Sequence, residues 1–295
     1  MSAIVVHDPI SAPELIQAEP ARAQPPRPAA DPTPAPLVDF FKRLSAAEQS
    51  ALLLDFDGTL APFRVDPATV RPWAGVRALL DRIRSQGRTR VVLISGRPAR
   101  QVARQLGLAN PIEIWGLHGA ERLLPNGNVE KENLRDSQLD ALRAARQCVR
   151  QAGMDLRLEE KWNAVVVHWR GKSPRLAELA RTRTMEVLSP FSETPGMALL
   201  TFDGGMELRA GRNKGGAVRL LLRSLPSHAP VAYLGDDTTD EDAFEALGAR
   251  GLSILVRRTA RPTAAQLWLK PPVELRTFFR SWLGALSASS PSPSA

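Results

Sequence analysis

Short, continuous apolar runs along the chain break off in polar loops, and each is followed by a stretch with helical spacing. SALLLDFDGTL reads as a strand over 51–55 that runs into an acidic loop. A helix near 72–86 follows, then RVVLI at 90–94, ending in Ser95-Gly96-Arg97, then a short helix near 98–106 and IEIWG. The same alternation returns late in the chain: a helix over 214–224, the strand VAYLG, a helix over 240–247, LSILV and a short AQLWL. Strands that are apolar throughout, rather than at every second position, are covered on both faces. Alternating with helices, they predict a doubly wound α/β fold built on a parallel sheet.

The middle of the chain has a different rhythm. LLPNGNV predicts a hairpin turning at Asn126-Gly127. A helix over 135–152 carries Leu139, Leu142, Ala145 and Val149 on one stripe, with Cys148 beside it as a packed thiol. Strands at 155–161 and 163–170, a helix at 174–188, and the strands MALLTF and MELRA around Asp203-Gly204-Gly205 complete the order αββαββ. Such an antiparallel α+β unit inside a parallel-sheet domain predicts a cap over a core. The expected division is core at 37–118 and 207–284, and cap at 119–206. Residues 1–36 hold nine prolines and no sustained period, and 285–295 are rich in Ser and Pro. Neither segment offers enough apolar surface to offset its ordering entropy, so both are expected to be disordered.

Composition narrows the picture by exclusion. No run approaches the roughly 18 apolar residues of a membrane span. The N-terminus lacks a basic region followed by an apolar core, so a cytoplasmic chain without a secretory signal is expected. The single cysteine, Cys148, excludes an internal disulfide framework. Net charge is +8, and 33 of the 39 basic residues are arginine. They are scattered and no nucleic-acid-binding pattern accompanies them, so an Arg-rich surface is expected and a nucleic-acid partner is not.

The chemistry gathers at the strand ends. Asp55 and Asp57 lie two apart where the first strand stops, so both can face the crevice in which open parallel sheets bind ligands. Two such close carboxylates are reasonable with a divalent cation between them, although an Asp-x-Asp-Gly is also compatible with a solvated turn. Gly58 permits the turn away from the sheet. The second strand delivers Ser95, and VAYLG delivers Asp236 and Asp237 at the head of an acidic run. Glu241 and Asp242 in that run suit a helix N-terminus, whereas a helix N-terminus does not readily explain Asp236 and Asp237 at the strand end. Lys214 opens a helix, where the dipole disfavours a cation, and so points to an anionic partner.

With these residues assembled, the chain resembles the haloacid dehalogenase-type phosphatases and, within them, the trehalose-6-phosphate phosphatases. The superfamily's four motifs stand in order as DFDGT (55–59), the Ser of SGR (95–97), the Lys of RNKGG (212–216) and GDDTTDED (235–242). The αββαββ insert is similar to the C2-type cap of that subfamily, and GLHGAE (116–121) and LEEK with VHWR (158–161 and 167–170) resemble its sequence features. One departure is Trp162, where the family commonly has glycine after the cap lysine.

The resemblance implies a Mg2+-dependent phosphatase acting on trehalose 6-phosphate. Asp55 would be the nucleophile and Asp57 the acid and base, with Ser95 and Lys214 on the phosphoryl group. Asp55, Asp57 and Asp236 would hold the metal, with Asp237 and Asp240 around it. Thr59, Arg97, His118, Glu159, Lys161 and Glu207 are the implied substrate contacts, with Glu121 at the hinge or the sugar, Arg209 as a hinge salt bridge and His168 as a structural histidine. Asn163 and Trp169 share one alternation of their strand. Phe202-Asp203-Gly204 mimics the first motif but is expected to be a hairpin turn. A trehalose-phosphate synthase is the implied functional partner. Other sugar phosphatases of the same fold, of sucrose- or glucosylglycerol-phosphate type, remain alternatives, as do a phospho-accepting module and a silent regulatory domain.

Overall fold

The computed structural model describes residues 35–288, apart from 65, 155, 156 and 203. The first half of the core runs α1 (Ala35–Ala46), β1 (Ser50–Leu54), α2 (Val76–Ser85), β2 (Thr89–Ile94), α3 (Ala99–Leu106) and β3 (Glu113–Gly116), then a hairpin of β4 (Glu121–Leu123) and β5 (Val129–Lys131). An insert follows: α4 (Asp136–Gln151), β6 (Leu158–Lys161), β7 (Ala164–His168), α5 (Pro174–Ser192), β8 (Met197–Phe202) and β9 (Gly205–Ala210). The chain returns through α6 (Lys214–Arg223), β10 (Val231–Gly235), α7 (Glu241–Leu247), β11 (Leu252–Val256), β12 (Leu267–Leu269) and α8 (Val273–Ser287).

The core sheet has the order β12-β11-β10-β1-β2-β3-β4-β5, parallel from β12 to β3 and antiparallel across the last two pairings. Alternate residues of β1 serve opposite layers. Leu52 and Leu54 pack with Phe40 of α1 and Phe279 and Trp282 of α8, whereas Ala51 and Leu53 join Val218 of α6 and Phe244 of α7. All five residues of β1 are buried, which is why the strand reads as one apolar run. From β1 the chain winds outward first through β2 and β3, then through β10, β11 and β12. The carboxyl end of β1 therefore lies at a topological switch point, between β2 and β10. Among the described residues, no helix is long and apolar enough to cross a membrane.

The insert forms its own four-stranded antiparallel sheet, ordered β6-β7-β9-β8. Val165, Val167 and Leu208 face Leu142 and Val149 of α4 and Leu188 of α5. The opposite face, with Lys161, Glu207 and Arg209, turns toward the core. Phe202 pairs with Gly205 across the β8–β9 turn, and Asp203 lies outside the described residues.

The expected boundaries need correction. The hairpin placed in a cap starting at 119 belongs to the core sheet, because β4 folds straight back onto β3, with Ile114 opposite Leu123. That reversal uses left-handed backbone at Leu117 (φ 51°), His118 (φ 60°) and Gly119 (φ 106°). Leucine rarely adopts it, and a single glycine after two other residues does not by itself announce a reversal of this length. At the return, β9 is an inner strand of the cap sheet, so Glu207 and Arg209 belong to the cap and the crossing comes at Gly211. The C-terminal tail expected from 285 begins too early: α8 continues to Ser287 with Leu286 buried against the core. At the other end, residues 35 and 36 open α1, and the remaining expected disorder, 1–34 and 289–295, lies outside the described residues.

Candidate active site

Three strand ends and one helix start converge at the switch point. Asp55 follows β1, and its amide donates to Leu234 O of β10 at 2.9 Å. Buried Phe56 anchors the loop below, and Gly58 turns it with φ +82°. A Cβ on Gly58 would lie 2.1 Å from Asp236 Oδ2, so a side chain here would displace the acidic loop. Ser95 follows β2, with its amide on Trp115 O at 2.8 Å. Asn213 caps α6 by accepting from the Gly216 amide at 2.8 Å, which sets Lys214 at the first position of the helix.

Lys214 is 3% exposed, and its Nζ donates to Asp55 Oδ1 at 2.7 Å and to Asp240 Oδ1 at 2.8 Å. The anionic partners that its placement against the dipole called for are thus within the protein. Asp240 is fully engaged: Tyr233 Oη donates to Oδ1 at 2.5 Å, and the Asp236 and Asp237 amides donate to Oδ2 at 3.1 and 3.0 Å. Asp55, Asp236 and Asp240 can each bring one oxygen within 4.8 Å of the others. Since Asp240 is spent on Lys214, Tyr233 and the backbone, Asp55 and Asp236 are the carboxylates left for a cation. Asp236 Oδ1 is buried without a hydrogen-bond partner, and such an orphaned acceptor fits a divalent ion. Tyr233 was not foreseen; a lone hydroxyl in an otherwise apolar buried strand is the signal that would have found it.

The charges follow from this burial. Desolvation pushes Asp55 up to about 7, with Lys214 opposing and Asp240 adding to the rise. Asp236 is raised well above the carboxylate range by burial and by Asp55 and Asp240. Burial alone would lower Lys214, but Asp240 and Asp55 together hold it above its ordinary value, so it stays charged.

The other expected residues separate into groups. Arg97 forks onto Asp57, Nε to Oδ2 at 2.5 Å and Nη2 to Oδ1 at 2.6 Å, where a substrate contact was expected. Thr59 is fully buried, with an unpartnered hydroxyl. Asp237 accepts from the Thr238 amide at 2.8 Å, capping a short 3-10 turn (Thr238–Asp240). Glu121 accepts from the Ala99 amide at 2.6 Å and so caps α3, which gives it a structural task at the hinge.

From the cap, Lys161 Nζ donates to Gly96 O at 3.4 Å and to Glu207 Oε1 at 3.2 Å, and Glu207 Oε2 lies 3.3 Å from His118 Nε2. Glu159 does not join that group: it pairs with His168 at 2.8 Å, and both side chains are nearly half exposed. Asn163 is buried and donates to Ala210 O at 3.2 Å; Trp169 packs with Ala180 and Met206. Arg209 is buried, 3.6 Å from Asp242 of α7, with Nη1 unpartnered. Trp162, at the β6–β7 turn, has Lys131 Nζ over its ring at 5.5 Å.

Burial depresses His118 to about 4 despite the neighbouring Glu207. Burial alone would raise Glu207, yet it is held well below the carboxylate range by its His118 contact, Lys161 and Arg209.

A stability test follows. Between about pH 6.5 and 4 the unfolded imidazole binds a proton that the folded one refuses, so stability falls as pH drops through this window. His118→Asn, which tolerates left-handed backbone, removes this group's contribution. Urea unfolding should show the wild type losing about 2 kcal/mol more than the variant between about pH 7.5 and about pH 5. Parallel losses would mean that His118 titrates normally in the fold.

The trehalose-phosphatase family profile matches residues 53–272. A trehalose-phosphate phosphatase of Mycobacterium marinum is 33% identical over 250 residues, covering 77% of this chain and 60% of the relative. One of Mycobacterium tuberculosis is 33% identical over 253 residues, covering 79% of this chain and 61% of the relative. The chain thus spans about three-fifths of the length of these curated relatives. Among solved structures, a trehalose-6-phosphate phosphatase related protein is 27% identical with a TM-score of 0.63, covering 81% of this chain and 100% of its own. The C-terminal domain of Candida albicans trehalose-6-phosphate phosphatase shares the fold: TM-score 0.68 at 22% identity, over 85% of this chain and 96% of its own.

Proposed function

Since the chain belongs to the trehalose-phosphatase family, we propose that it hydrolyses trehalose 6-phosphate to trehalose and phosphate through an aspartyl-phosphate on Asp55. The observation that carries this reading is the convergence of Asp55, Lys214 and Asp236 on the floor of one crevice, with Lys161 and Glu207 reaching over it from the cap.

Asp55 attacks phosphorus, and the bond to the sugar oxygen breaks as the bond to the carboxylate forms. Asp57 serves as the acid once substrate has opened its fork with Arg97 and one carboxyl oxygen carries a proton, which goes to the departing sugar oxygen. It then takes one from the water that attacks the same phosphorus, freeing Asp55 and phosphate. Lys214 has spent two N–H donors on Asp55 and Asp240, which leaves the third for a phosphoryl oxygen, and Ser95 adds a hydroxyl. Asp55, Asp236 and the Asp57 carbonyl would hold Mg2+, which when bound neutralises charge on the phosphoryl group. A synthase that supplies trehalose 6-phosphate, acting in the cytoplasm, is the partner this reading entails.

Lys161 and Glu207 are the sugar readers in this scheme, and Glu159, held by His168, is a peripheral one. Lys161→Ala should lower kcat/KM for trehalose 6-phosphate by about 5–150-fold, the range for one lost polar contact of about 1–3 kcal/mol. Glu159→Ala should cost less. Hydrolysis of p-nitrophenyl phosphate, which needs no sugar contact, should be largely spared in both. Equal losses on the two substrates would mean that Lys161 supports cap closure and does not read the sugar.

A further inference from the structure

The loop between β11 and β12 sends two guanidinium groups onto the backbone of the acidic loop. Arg257 Nη1 donates to Asp236 O at 3.3 Å, and Arg261 Nε approaches the same oxygen at 3.4 Å. Arg261 Nη2 donates to Asp237 O at 2.7 Å, while its Nη1 meets Glu241 Oε1 and Pro262 O. Glu241 is itself fixed, accepting from Thr263 Oγ1 at 2.9 Å and from the Ala264 amide at 2.7 Å. From the other side, Asp240 Oδ2 holds the amides of Asp236 and Asp237. The backbone that presents Asp236 is therefore gripped on its carbonyl side by arginines and on its amide side by Asp240.

That grip opposes a definite force. Asp236 is buried beside Asp55 and Asp240, and once these carboxyls ionise to take a cation their mutual repulsion pushes the loop outward. A loop free to relax would have to be drawn back by every cation it binds. A planar guanidinium spans two carbonyls from separate nitrogens in a fixed fork, a geometry that the single nitrogen of a lysine does not offer.

We propose that Arg261, supported by Arg257, is a positioning residue that holds the acidic loop in its cation-receiving shape. The inference rests on the metal-dependent reading above and concerns cation affinity, not the chemical step. It predicts a sign opposite to that of a simple field effect. Removing a positive charge near a cation site strengthens cation binding by Coulomb's law alone, whereas removing the brace weakens it.

The test is a Mg2+ titration of the full chain, without substrate, read as the rise in unfolding temperature with Mg2+ concentration. Arg261→Ala should weaken the apparent Mg2+ affinity by about tenfold, the lower end for groups that support metal ligands. Arg261→Lys should weaken it less, and it carries the test if the alanine variant does not fold. Arg258→Ala, at an exposed neighbour, reports the field effect and should leave affinity at or slightly above wild type. Wild-type affinity in both Arg261 variants, or tighter binding, overturns the proposal. A wild-type chain that Mg2+ does not stabilise at all overturns the metal-dependent reading itself, and this inference with it.

Discussion

Asp55→Asn should leave a folded protein whose phosphate release has fallen by about 10³-fold or more. The amide fills the same volume but cannot form the bond to phosphorus, so the two-step route is closed. The fold should tolerate the change well. Desolvation already pushes the Asp55 carboxyl up to about 7, so a neutral group at this position relieves a buried charge beside Asp236 and Asp240. Lys214 keeps its bond to Asp240. Phosphate release and thermal unfolding on the same preparation check both halves. Near-wild-type turnover, with deamidation back to aspartate excluded by mass spectrometry, would remove Asp55 from the nucleophile's role.

Lys214→Met should behave in the opposite way toward stability. The ammonium lies 2.7 Å from Asp55 and 2.8 Å from Asp240, and all three groups are buried. Removing one partner of such a group leaves uncompensated charge, which costs about 3–5 kcal/mol. Tyr233 and two backbone amides still hold Asp240, so the lower end of that range is expected. Turnover should fall as well, by about 10²–10³-fold, since a phosphoryl oxygen loses its cationic donor. Urea unfolding at neutral pH checks the first effect as a drop in midpoint at constant slope. A Lys214→Met variant as stable as wild type would mean that the ammonium only offsets its own burial.

The parallel core was legible because burial on both faces makes strands such as SALLL and LSILV continuously apolar, and the crevice then follows from where they end. Asp55, Ser95, Lys214 and Asp236 were legible for the same reason: each stands at a strand end or a helix start. What the sequence hid depends on contacts between distant segments. Arg97 and Asp57 both stand in recognisable motifs, yet their pairing across 40 positions has no sequence signal. Glu159 and Lys161 share a face, but their partners differ, His168 of β7 for one and Glu207 of β9 for the other. The left-handed turn at Leu117-His118 was hidden because a leucine there argues against it.

The arginine excess was the least legible feature. A general charged surface was the expectation, but many of the guanidinium groups hold loops through backbone carbonyls. Arg84 donates to Asn110 O and Pro111 O, Arg250 to Ala229 O and Pro226 O, and Arg212 to Gly119 O. Every residue carries a carbonyl, so such an acceptor leaves no mark in the sequence. The fork geometry explains why arginine rather than lysine serves there, and Arg261 at the acidic loop is one case of that use.

The most direct measurement compares phosphate release from trehalose 6-phosphate and from glucose 6-phosphate, each with and without EDTA. Trehalose 6-phosphate should turn over much faster than the monosaccharide, and EDTA should abolish both activities until Mg2+ is restored in excess. Equal rates on the two sugars, or turnover that EDTA leaves intact, would contradict a metal-dependent phosphatase whose cap reads a disaccharide.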